Sequence, residues 1–142
     1  GNTSYNGSNP PKHLDASIDS VKLSQNGVEW VKVGKGASFA ADASKPVMVA
    51  LKLTNLGRAR WLSRRSAAGA VVVVVEAGAE SRKLALPRDI PSLKSIELEP
   101  FAITPLAAEG PVDVKIRIEA EERAVFGERW RFTLKYARPG AG

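Results

Sequence analysis

Between Val47 and Thr54 the chain alternates Val47, Val49, Leu51 and Leu53 with Met48, Ala50, Lys52 and Thr54, then runs into Asn55, Gly57 and Trp61. Eight residues of period two predict a strand with one buried and one wet face. The Asn-x-Gly that ends it supplies residues tolerant of positive φ. Four arginines, Arg58, Arg60, Arg64 and Arg65, crowd Trp61, and no acid lies between Lys52 and Glu76. The pattern predicts an all-β domain with a basic, aromatic loop at one end of its sheet.

The same rhythm recurs from Leu14 onward, with turn residues between short apolar runs and no helical period. Ala16 to Leu23 changes phase near Asp19 and Ser20, which predicts a bulge there. Ser24-Gln25-Asn26-Gly27 turns the chain into Val28 to Val33. Ala70 to Ala77, with five consecutive Val, reads as a central strand covered on both sides, and Ser81 to Leu86 follows it. Ser95 to Glu99 places Ile96 and Leu98 inward with Glu97 and Glu99 outward. Val112, Val114, Ile116 and Ile118 oppose Asp113, Lys115, Arg117 and Glu119. The last strand sets Trp130, Phe132, Leu134 and Tyr136 against Arg129, Arg131, Thr133 and Lys135, an aromatic stripe that reads as core packing. Eight strands, each with a face to bury, stack most simply as two antiparallel sheets about 10 Å apart.

A chain of 142 residues suits one domain with a core that needs no disulfide or metal. We expect a flexible leader over residues 1–13, rich in Asn, Gly, Ser and Pro, a β-sandwich over 14–138, and a short tail over 139–142. Gly1 in place of Met suggests a segment of a longer protein. The net charge of +6 is uneven: residues 1–65 hold ten Lys or Arg against four acids, while residues 66–142 hold eleven of each. Such a balance favours loose encounter with polyanions and names no specific ligand.

Several chemistries find no support in the sequence. With no Cys, there is no disulfide framework, thiolate site or Cys nucleophile. The longest apolar run, Ala70 to Val75, is far short of the ~18 residues of a membrane span. His13, the single His, sits in the leader, so a Ser-His-Asp triad has no base in the folded region. Glu97 and Glu99 share one face of a strand but read as its wet side. Gly34-Lys35-Gly36 lacks the spacing of a phosphate loop. Asp15, Asp19, Asp42 and Asp113 lack calcium-loop spacing, although loops could gather some of them. No catalytic residue, metal ligand or cofactor is expected.

The order of features resembles a group of immunoglobulin-like sandwiches. It runs Asn55-Leu56-Gly57, Trp61, the Val71 to Val75 run, Leu86-Pro87, Ile96 to Leu98, and Phe126 before the last strand. It looks like the accessory domains attached to bacterial glycoside hydrolases, surface-polysaccharide enzymes and other exported proteins. The resemblance implies an immunoglobulin/fibronectin-like antiparallel β-sandwich, with Trp61 as a lid packed over the sandwich end. It also implies a non-catalytic accessory or interaction module in an extracytoplasmic setting, whose partners are other domains of its own polypeptide or another protein.

Two alternatives stay open. Arg58, Arg60, Arg64 and Arg65 could clamp carboxylate or sulfate groups while Trp61 stacks on a sugar ring, which would make the chain a module for acidic glycans. Nucleic-acid binding ranks last, because the aromatics sit on inward positions and not on a charged face where bases could stack.

Overall fold

The structure, a computed structural model, describes residues 12–64, 69–104 and 110–137. Among them the order is all β: β1 (Ala16–Ser24), β2 (Val31–Lys32), β3 (Ser38–Asp42), β4 (Val47–Asn55), β5 (Val71–Ala77), β6 (Glu80–Ala85), β7 (Ser95–Glu97), β8 (Phe101–Ile103), β9 (Gly110–Ala120) and β10 (Ala124–Ala137). The first sheet runs β2-β1-β4-β7, with β8 also on β4, and the second runs β3-β10-β9-β5-β6. All pairings are antiparallel except β3 with β10. The sandwich expected from period two is therefore present, with ten strands instead of eight.

The differences have local causes. Val28 to Val33 forms only a two-residue strand, because Val28 and Val31 are exposed and only Val33, at its end, enters the core. The edge strand β3 was not legible because Ser38 to Asp42 alternates weakly. It exists because Gly34 to Ala37 carries the chain from the first sheet to the second. There Gly36 N–H donates to Arg131 O at 2.7 Å and Thr133 N–H to Ala37 O at 2.9 Å. The strand β8 is the second half of a broken edge: β7 pairs with Lys52 to Thr54 and β8 with Val47 to Val49. Pro100 stands in the gap, the sort of edge position that proline tolerates.

The core lies between the sheets. Phe132, Leu134, Val114, Ile116 and Ile118 from the second sheet meet Leu23, Val49, Leu51 and Leu53 from the first, and all are essentially solvent-free. Both phases of β5 are buried, as five consecutive valines imply. Val71, Val73 and Val75 join the core, while Val72 and Val74 sit between cross-strand neighbours Ala85 and Glu119, and Lys83 and Arg117. Long side chains of this kind cover apolar surface with their stems.

Two bulges lock one corner. The register of β1 against β4 shifts between Ile18 and Ser20, where the phase change predicts it. That of β10 against β9 shifts between Phe126 and Trp130, around Gly127 at φ 73°. The bulges dock on each other: Glu128 accepts from Ile18 N–H at 2.7 Å, and a Cβ on Gly127 would fall 2.7 Å from the Ala16 backbone nitrogen. Gly127 thus answers both a left-handed backbone and a close approach.

Candidate functional site

The loop after β4 is built around Asn55, which is buried and fully bonded. Its side-chain amide donates to Ala59 O and to Ile90 O, both at 2.9 Å, and its carbonyl accepts from Gly57 N–H at 3.0 Å. Strand propensity gives way here because an Asn side chain can close such turns on its own backbone. Gly57 has no positive φ, contrary to the expectation from Asn-x-Gly. Its reason is a close approach: a Cβ would lie 2.6 Å from His13 O and 2.7 Å from Asp15 N. The loop is held from the other side by Lys12 and His13, whose carbonyls accept from Arg58 N–H and Ala59 N–H. Lys12 and His13, placed in the leader by the sequence, thus contact this loop, while the rest of the expected leader and the tail lie outside the described residues.

Trp61 has no exposed surface. Its backbone exchanges two 2.9 Å hydrogen bonds with Ile90, and its ring meets Phe126 edge-on at 5.9 Å. It closes the sandwich end as the resemblance implies. As a contact for a sugar ring, Trp61 is corrected to a packing lid, because a fully covered indole offers no face to a ligand.

The arginines of this loop do not converge. Arg58 and Arg60 are exposed and carry no ion pair among the described residues. Arg64 is engaged across the sandwich end in a two-pronged pair with Glu121, Nε to Oε1 and Nη2 to Oε2 both at 2.8 Å, and Lys83 adds a contact at 3.7 Å. Arg65 lies outside the described residues. The Glu121 carboxyl is held below the usual carboxylate range, chiefly by the hydrogen bonds from Arg64. A depressed carboxyl adds stability that is present above its unfolded pKa and lost as pH falls through the folded one. Arg64→Ala should therefore melt below wild type near neutral pH, and the two melting temperatures should converge in a series taken below the ordinary value of 4.5. A gap that persists into acid would assign the effect of Arg64 to packing.

The cations that do gather lie elsewhere. An open groove of about 670 Å³ crosses the outer face of the second sheet, lined by Lys115 and Arg117 of β9, Arg129 and Arg131 of β10, Glu76 of β5, and Lys35 with Gly36 from the β2–β3 crossing. Arg117 is paired with Glu76 at 3.0 Å and with Glu119 at 2.8 Å, and Lys35 is paired with Glu128. Lys115, Arg129 and Arg131 have no carboxylate partner among the described residues. The sequence reading treated these positions as the wet sides of two strands. The available signal was that two successive strands each carry cations at consecutive outward positions.

The scattered aspartates stay scattered. Asp15 accepts from Ala16 N–H, Asp19 bonds Ser17 and Thr54, Asp42 bonds Ser44, and Asp113 accepts from Thr133. Among the described residues no group of three or more His, Asp or Glu could hold a metal ion, and no helix is long and apolar enough to cross a membrane.

No family model matches the chain, and no curated protein matches it. Among solved structures it is similar to the CARDB domain of a Pyrococcus furiosus protein, solved in complex with di-metal ions. The TM-score is 0.55 and the identity 15%, with 92% of this chain and 95% of that chain covered. At this identity the likeness shows the fold, an immunoglobulin-like β-sandwich, and the metal ions are a property of that protein.

Proposed function

We propose that this chain is a non-catalytic interaction module carried by a larger, exported bacterial protein. The observation that carries the reading is where its polar groups lie. The sandwich interior is filled by apolar side chains, and a cluster of cations without carboxylate partners among the described residues, Lys115, Arg129 and Arg131, stands on an open sheet face and not around an enclosed pocket. Such a surface suits docking, whereas catalysis needs groups converging on a reacting atom in a concave site. The near-complete overlap with one named domain of another protein supports a module reading. Its partners are other domains of its own polypeptide, a second protein, or a polymer at the cell surface.

The test removes residues 12–137 from the polypeptide that carries them. Turnover on a soluble substrate should be unchanged, while attachment to the partner or surface should fall. Loss of turnover in a still-folded remainder would overturn the non-catalytic reading. Fractionation of the source cell should find the protein in the periplasmic, surface or secreted fraction, and confinement to the cytoplasm would overturn the exported setting.

A further inference from the structure

The groove on the outer face of the second sheet has an electrostatic arrangement that folding alone does not explain. Lys115 lies directly opposite Arg131 on one side and Glu76 on the other. Glu76 bonds Arg117, which also holds Glu119, so the nearest acids are taken by one arginine. Like charges opposed across a sheet are destabilising, and sheets ordinarily place opposite charges there. Here Lys115, Arg129 and Arg131 are left facing solvent together. Glu76 offsets Lys115 from the β5 side only in part, because it bonds Arg117, and the like pair Lys115–Arg131 stays unrelieved; a local rule broken in this way points to a functional surface.

The geometry indicates what kind of ligand. Side chains two residues apart on a strand stand about 6.8 Å apart, and cross-strand neighbours about 5 Å apart, so Lys115, Arg117 and Arg131 form a small grid across β9 and β10, flanked by Arg129 from the bulge where the register shifts. Arginine forks match carboxylate and sulfate oxygens two at a time. Lys35 forms the near wall, fixed by Glu128 and by its place 5.3 Å from the Trp130 ring centre. A grid of this kind fits a row of oxyanions better than a single one.

We propose that this groove binds an acidic polysaccharide, one bearing uronic-acid carboxylates or sulfate groups. The inference rests on the interaction-module reading and gives it a site and a ligand class. An extended acidic peptide fits less well: β9 and β10 are hydrogen-bonded on both sides, so neither offers an edge for a strand to join. None of the exposed large apolar residues, Val28, Val31, Leu56, Leu93 and Val125, lines the groove, so nothing there would enter a bilayer. Single-stranded nucleic acid needs aromatic platforms, and Trp130 has its indole N–H buried and a lysine over its ring.

The experiment is affinity electrophoresis of the whole chain through gels holding dextran sulfate, polygalacturonate or neutral dextran, with duplex DNA as a competing polyanion. Wild type should be retarded by the two acidic polymers and not by neutral dextran, and retardation should fade as salt rises. Lys115→Gln with Arg131→Gln should weaken binding at least about tenfold, as loss of charge-assisted contacts does. Arg58→Gln with Arg60→Gln removes the same charge from an exposed loop and should leave binding near wild type. The Lys115→Gln, Arg131→Gln variant should melt at or slightly above wild type, since it relieves an opposed like pair. The loop pair should melt with wild type, and Arg129→Gln alone gives a second reading should the double variant melt early. Equal weakening by both pairs would reduce the effect to net charge and overturn the groove. No retardation on either acidic polymer, or preference for duplex DNA over both, would overturn the ligand class. Each of these results is separate from the excision test, which alone decides whether the chain is a module.

Discussion

Replacing Phe132 with Ala is expected to cost about 3 to 5 kcal/mol of folding stability, the usual loss when a buried aromatic is cut back to a methyl group. Phe132 has no exposed surface, sits opposite Val114 in the interior of the second sheet, and belongs to a strand paired on both sides. Because β3, β10 and β9 are hydrogen-bonded in series, the backbone around the vacated space has little freedom to collapse into it. Denaturant melts measure the effect directly. Val125→Ala, on the same strand but substantially exposed, should stay close to wild type. A loss below about 1 kcal/mol for Phe132→Ala would mean that the side chain does not fill the core as placed.

That expectation needed only the sequence. The alternation of Trp130, Phe132, Leu134 and Tyr136 sets the phase of the strand, and a shift by one residue would have placed all four in water. The bulge at Ile18 was legible for the same reason, since Ala16 and Ile18 fall out of phase with Val21 and Leu23. Short edges were not legible. The segments β3 and β8 owe their pairing to distant partners, β10 and β4, and carry too few residues for a periodic signal of their own.

The parts of a candidate site were legible, but the groove proposed above is not the cluster that the linear sequence presents. Charge counted along the chain puts the excess in residues 1–65 and singles out Arg58, Arg60, Arg64 and Arg65 around Trp61. Folding redistributes it: Trp61 goes inside and Arg64 is spent on Glu121. In residues 66–142 the eleven cations and eleven acids balance in number but not in space. Register sets Lys115 beside Arg131 while their acids are drawn to Arg117. Which acid serves which base depends on strand pairing, and a linear count does not contain it.

Asn55→Ala should be the most damaging change in the loop after β4, with an expected loss of about 3 kcal/mol. Asn55 makes three hydrogen bonds while fully buried, and a truncated side chain leaves Gly57 N–H and Ala59 O without those partners. A net bond contributes about 1 kcal/mol, and a buried group left unsatisfied costs about 1 to 3 kcal/mol. Ile90 O is the least affected, because Trp61 N–H still donates to it. Asn55→Asp, almost identical in shape, keeps the acceptor for Gly57 but turns an oxygen toward the carbonyls of Ala59 and Ile90. It should be no better than Ala near neutral pH, so shape and hydrogen bonding are separated by this pair. The loss should also be local before it is global: amide exchange at Gly57 and Ala59 should speed up more than at Phe132, since the bonds removed hold the loop and not the sheet. If Asn55→Ala melts with wild type, water has replaced all three bonds, and the docking of Lys12 and His13 against Gly57 must hold the loop by itself.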